Sequence, residues 1–448
     1  MPYGGGNRLP GEKASKLGHL AVVGSDWVQE LVREFESPEL TEADPSDTVW
    51  ERFDPAGIEP LRSVWSVDGS FITVKSEQKP PKEVTFVKTA LLTIDRDRLE
   101  RIDKSHPHPL HLQDIMADSA VFHSTVFPLK NVRFRRGSNL EAIRNIVWES
   151  FHKDENGAFF ETLKWIAYQK WSTAKPASPA FECPCCGNQL DQGLPYDSDE
   201  GTCSHPGCGE RLMLTDMIGF HLGMSEDSAD ESVASSYMLV MEHIMLFTAI
   251  RLLWSSRDRS LVSDTLFLKD GPLTLRSQYS KLVPNIRRFL QNAKDIGRPI
   301  HIAGQEKSGT FFDHLASIVR FPAPHARGEP ASYALLSHNY VRKEVHRAPE
   351  RSNPYGMRTN WGEKLYVKLD PGSWMVLNVP TGEYQDRGDF PEGLDLIGLP
   401  RILATLPSLV SHKFEGAMFP IELANGVASM SSYPSAQILK KFLDDTAG

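Results

Sequence analysis

Thr265-Leu-Phe-Leu-Lys-Asp270-Gly-Pro-Leu273 is a short apolar run that stops at a turn signal. Its surroundings decide the fold class. Residues 232–255 before it read as one long helix, and 265–268 as a strand. Residues 281–294 then read as a helix, 299–303 as a strand and 310–319 as a helix. Helices alternating with strands of this length predict an α/β sheet. Working outward, Val64-Trp-Ser-Val-Asp68-Gly-Ser-Phe-Ile-Thr-Val-Lys75 reads as two strands meeting at an Asp-Gly turn. Residues 84–94 and 121–129 continue the β character, and Ser138-Asn-Leu-Glu141 has the spacing of a capping box that opens a helix. A helix is expected over 158–171, followed by a Pro-rich linker. After 322 the pattern returns to strands at 364–369 and 374–379, with helices near 394–406 and 435–443.

At 448 residues the chain has room for roughly two to four domains. An apolar fraction of 40% is enough to give each a core. Lys and Arg number 49 against 58 Asp and Glu, a net charge of −9. That excludes a basic coat protein, so any nucleic-acid contact must be local. Met1-Pro-Tyr-Gly-Gly-Gly6 lacks the apolar core of a secretory signal. The longest apolar stretch, 238–254, is broken by Glu242, His243 and Arg251, as in a buried helix rather than a membrane span. A cytoplasmic protein with no membrane contact is the expectation.

All five cysteines fall between Cys183 and Cys208. Cys183 and Cys186 form an x2 pair, Cys203 and Cys208 an x4 pair, and sixteen residues separate the two. This is zinc-ribbon spacing, with four thiolates for a tetrahedral Zn²⁺ and a Gly after each pair to turn the backbone. Cys185 is a spare, and His205 is an alternative to Cys203. A closed four-ligand site leaves no position for substrate, so its expected role is structural. The loop acids Asp191, Asp197, Asp199 and Glu200 argue against direct DNA binding by the ribbon.

Asp68 and Asp270 each end or nearly end an apolar strand and each precede Gly. Singly, Asp-Gly is a turn dipeptide. As a pair at strand ends of an α/β sheet they face the crevice where such folds bind ligands. Glu242 lies inside an apolar helix, where a carboxylate needs a partner: an Arg such as Arg251, or a metal. Asp68, Glu242 and Asp270 together would make a hard oxygen site for Mn²⁺ or Mg²⁺. Ile302-Ala-Gly-Gln-Glu-Lys307-Ser-Gly309 leaves a strand and enters a helix, which puts Lys307 where a phosphate can sit, although the Walker A spacing is absent. Asp313 and His314 follow as capping or packing residues. Arg133, Arg135 and Arg136 around Phe134 are the densest basic patch and the candidate DNA contact, or else a solvated edge.

These residues, in this order and with a late Tyr433-Pro434, resemble the NurA family of DNA-repair nucleases. The resemblance runs from about Val64 to Phe442. It implies an RNase H-like mixed sheet flanked by helices, with the ribbon as an insertion. The implied organisation is an extension at 1–60, a nuclease domain in two parts at 61–178 and 226–448, and the zinc ribbon at 179–225. It further implies Mn²⁺-dependent cleavage of DNA ends and single strands, a homodimer, and a HerA-type hexameric ATPase partner in end processing or antiphage defence. Asp68, Glu242 and Asp270 would be the metal ligands, with Lys307 and Tyr433 beside the DNA backbone. Two departures stand out: the gap from Glu242 to Asp270 is long for the family, and where the family places a His eight residues after the Tyr, Lys441 stands, which implies altered metal geometry, a substitute such as His412, or lost activity. The alternative is therefore a catalytically inactive adaptor that docks an ATPase.

Overall fold

A computed structural model describes residues 22–34, 50–102, 108, 120–132, 137–153, 157–223, 232–319, 331–348, 354–370, 373–387, 390–411, 417–430 and 434–446. The chain divides into two units, 1–47 and 48–448. In the first, Asp26–Glu34 is a helix with Asp26 in its first turn and Arg33 in its last, charges that suit its dipole.

Among the described residues the second unit is built on a nine-stranded mixed sheet. Its strands are β1 (Trp50–Arg52), β2 (Ser63–Lys75), β3 (Glu83–Asp95), β4 (Ala120–Lys130), β5 (Thr265–Asp270), β6 (His301–Glu306), β7 (Ser332–Leu335), β8 (Gly362–Asp370) and β9 (Ser373–Pro380). They lie in the order β1-β7-β8-β9-β6-β5-β2-β3-β4. β2, β3 and β4 are antiparallel neighbours, β5 runs parallel to β2, and β6 parallel to β5. The main helices are α1 (Asn139–Lys153), α2 (Ala158–Ala167), α3 (Ser232–Trp254), α4 (Val283–Asp295), α5 (Thr310–Val319), α6 (Leu399–Thr405), α7 (Phe419–Ala428) and α8 (Ser435–Thr446). α1, α2 and α3 make the crossover from β4 to β5, the long connection a parallel strand requires.

Side chains alternate along the strands and feed three apolar clusters, two of which lie on opposite faces of β2, β5 and β6. Val67, Phe267 and Ile302 pack with α3 on one face. Val64, Leu266, Leu268 and Ala303 pack with α6 and α7 on the other. α3 is the one described helix long and apolar enough to cross a membrane, but 83% of its most apolar window is buried inside the protein. It is apolar around its circumference because it lies under the sheet and against α2.

Several expectations are corrected. Val64 to Lys75 is one continuous strand, not two: Asp68 and Gly69 pair with Ala90 and Thr89 of β3 without a turn. The capping box holds, since Ser138 N donates to Glu141 Oε2 at 2.8 Å and Glu141 N to Ser138 Oγ at 3.3 Å. The helix expected over 158–171 ends at Ala167, and Gln169 turns left-handed at φ 50°. The one expected over 394–406 is helical only from Leu399, between short 3-10 turns. α7 was not foreseen. Residues 48–60, read as the end of an extension, contribute β1, which pairs with β7.

Candidate functional site

β2 and β5 are parallel neighbours from Ser63↔Thr265 to Val67↔Lys269. Beyond this shared ladder β2 runs on along β3 to Lys75, while β5 ends at Asp270. Asp68 and Asp270 are the next residues on the two strands. Alternation gives both the α7 face, with Val64 and Leu268.

Asp68 is 4% exposed. Its Oδ1 accepts from Gly69 N at 2.7 Å, while Oδ2 is buried with no hydrogen-bond partner. Burial, and then the negative charges of Asp270 and Glu242, push its carboxyl up to about 7, with the Asn425 side chain of α7 acting in the opposite sense. Asp270 is the more open acid, and Lys307 Nζ sits 2.9 Å from its Oδ2. The Asp-Gly turn expected here is present, with Gly271 at φ 83°.

Glu242 approaches from α3, on the opposite face. Gly69 makes this possible: a Cβ there would stand 2.5 Å from Met238 Cγ and 2.9 Å from Glu242 Oε1. The glycine therefore serves close approach and not a turn. The partner of Glu242 is Lys269, whose Nζ lies 2.7 Å from Oε2, rather than Arg251, which donates to Thr162 Oγ1 at 3.0 Å. Burial raises the Glu242 carboxyl and Lys269 opposes that rise. The neighbouring His243 gives its Nδ1 to the Leu239 carbonyl at 2.7 Å, and burial pushes its imidazole down to about 3, so it stays neutral.

The sequence reading missed Lys269, Asn425 and the purpose of Gly69. A signal for Lys269 was present: in Thr265–Asp270, a charge at the same alternation phase as Phe267 must be buried and must find an acid. His314 bonds the Tyr366 hydroxyl at 2.9 Å and Asp313 is exposed, so both stand with packing rather than with the acids. Arg133, Arg135, Arg136, Tyr433 and His412 lie outside the described residues. Lys441 is exposed on α8.

The second site is the cysteine cluster. Ligand atoms of Cys183, Cys186, Cys203 and Cys208 all lie within 4.8 Å of one another. Cys183–Cys208 and Cys186–Cys203 sulfurs are each 3.8 Å apart. Four sulfurs placed tetrahedrally at the Zn–S bond length stand about 3.8 Å from each other, whereas a disulfide needs about 2.05 Å. The four cysteines can thus bind a metal such as zinc. His205 offers its backbone, its carbonyl accepting from Cys208 N at 3.0 Å, and Cys203 takes the fourth position. Gly187 and Gly209 are left-handed at φ 68° and 66°, so the turn after each pair does use glycine. Cys185 remains exposed beside the cluster.

The loop acids have a structural use. Lys164 Nζ meets Asp197 at 2.8 Å and Asp199 at 2.6 Å, and Lys170 meets Asp197 at 2.6 Å. Buried Arg144 of α1 clamps Asp216 through two bonds of 2.9 Å and Glu210 at 2.7 Å. Among the described residues the three carboxylates Asp68, Glu242 and Asp270 do not reach the one-ion spacing of the cysteines.

The chain matches no protein-family model and no curated protein.

Proposed function

We infer that the protein is a divalent-metal-dependent deoxyribonuclease on an RNase H-like core, with a zinc-binding insert. One observation carries this: Asp68 and Asp270 directly follow the last paired residues of two adjacent parallel strands, on one face of the sheet, and Asp68 keeps a buried oxygen without a partner. Two carboxylates and an orphaned acceptor suit a hard cation better than any neutral ligand. The strand order supports the core: three antiparallel strands, β4-β3-β2, continue into two parallel ones, β5 and β6, as an RNase H-like sheet requires.

Asp68 and Asp270 would hold Mn²⁺ or Mg²⁺, with Glu242 behind them on the other face, paired with Lys269. A bound ion there supplies charge stabilisation at a phosphoryl oxygen and a water of lowered pKa. Asn425 orients Asp68. Lys307, on the open side of Asp270, offers its ammonium to a DNA phosphate once Asp270 turns to a cation. Arg133, Arg135, Arg136 and Tyr433 belong to this reading as DNA contacts, and the homodimer and HerA-type ATPase as its partners. The test is end-labelled linear and single-stranded DNA incubated with the purified protein, with Mn²⁺ or with chelator, alone and with a HerA-type ATPase. Cutting that needs the metal supports the reading.

A second reading is an inactive adaptor that docks a DNA-translocating ATPase. It is favoured by Lys441 in place of the family's His and by lysine partners on both Glu242 and Asp270. It predicts ATPase binding with no cleavage in any metal.

A further inference from the structure

Two of the three carboxylates already meet an ammonium group of the chain, and the two lysines are not equivalent. Lys307 is partly exposed on the turn into α5. Lys269 is 1% exposed and held twice, by Glu242 Oε2 at 2.7 Å and by the Asp270 carbonyl at 2.6 Å. Its direction is set by the strand: Phe267 and Lys269 face α3, whereas Leu268 and Asp270 face α7. Drawing Glu242 away to a cation would strand a buried ammonium in the apolar face of the sheet, a costly rearrangement. Asp68 is in the opposite situation, since its buried Oδ2 has no partner to give up. With all three carboxylates ionised, as they would be around a bound cation, two ammonium groups leave one negative charge. A single divalent ion turns that to one positive, which suits a phosphodiester, whereas two ions would leave three.

We propose that Lys269 occupies the place of one cation at this centre: Asp68 and Asp270 hold a single divalent ion, and Glu242 is the counter-charge of Lys269 rather than a ligand. The proposal rests on the nuclease reading and sharpens it to a one-ion centre. In that centre Lys269 is a positioning residue, fixing the Asp270 backbone from behind while its charge replaces the second metal.

Mn²⁺ titration of the full-length, zinc-loaded protein by calorimetry counts the ions directly, apart from any activity. The expected result is one Mn²⁺ per chain in the parent and in the Lys269→Met/Glu242→Gln double variant, which removes both buried charges together. Asp68→Asn should weaken that binding at least tenfold. Two Mn²⁺ per chain in the parent overturns the proposal and leaves the nuclease reading standing. So does a double variant that loses its ion as Asp68→Asn does. No Mn²⁺ bound by the parent overturns both readings at once. The parent's stoichiometry decides even if a variant fails to fold.

Discussion

At Asp68 burial and the neighbouring carboxylates act in the same direction. Its folded carboxyl, raised to about 7, lies well above the ordinary 3.8, so protonation is favoured by the fold. The stabilisation is fully present below about pH 4 and is lost as pH rises through about 7. In metal-free protein, urea unfolding of the parent should weaken over that window by up to about 4 kcal/mol, and Asp68→Asn should flatten the slope. An unchanged slope in the variant would refute the assignment to Asp68. Gly69 offers a second test at this scale. Ala is ordinarily the better residue in a strand interior. Here its Cβ would press on Met238 and on Glu242, which Lys269 holds in place. Gly69→Ala should therefore destabilise, by about 1–3 kcal/mol in urea unfolding; a gain in stability would contradict the close approach.

At the scale of elements, the ribbon segment is tied to the rest of the larger unit. Cys183, Cys203, Leu194 and Leu212 belong to the same apolar cluster as α3 and α4. Arg144 and Lys164 add charged ties from α1 and α2. Elemental analysis should find one zinc per chain, lost in Cys186→Ser, and stripping it should lower the thermal midpoint of the larger unit rather than melt the ribbon alone. Separate melting, or no zinc, would contradict this. The cysteine quartet was legible in the sequence because its ligands are local, fixed by spacing. The carboxylate centre was half legible. Asp270 carried a turn signal at a true strand end, whereas Asp-Gly at 68–69 looked like the same turn and is strand interior, because only the packed position of α3 explains that glycine. α7, which brings Asn425 to Asp68, was hidden by its own composition: Pro420 and Gly426 mask a ten-residue helix that tertiary burial stabilises. Lys269 was missed for the same reason, since its partner lies twenty-seven positions earlier on another element.

Across the whole molecule, the order β4-β3-β2-β5-β6 sets Asp68 and Asp270 side by side just past the β2–β5 ladder, and α3 brings Glu242 against Gly69 from the opposite face. A net charge of −9 does not oppose a DNA substrate, because carboxylates are what a metal centre needs and a translocase can deliver the strand. The measurement that tests the account most directly is cleavage of linear and single-stranded DNA in Mn²⁺ by the parent and by Asp270→Ala, with chelator as control. The account predicts metal-dependent cutting by the parent and a loss of at least a hundredfold in the variant. Equal cutting by both would contradict it, and no cutting by the parent with its ATPase present would leave the adaptor reading in its place.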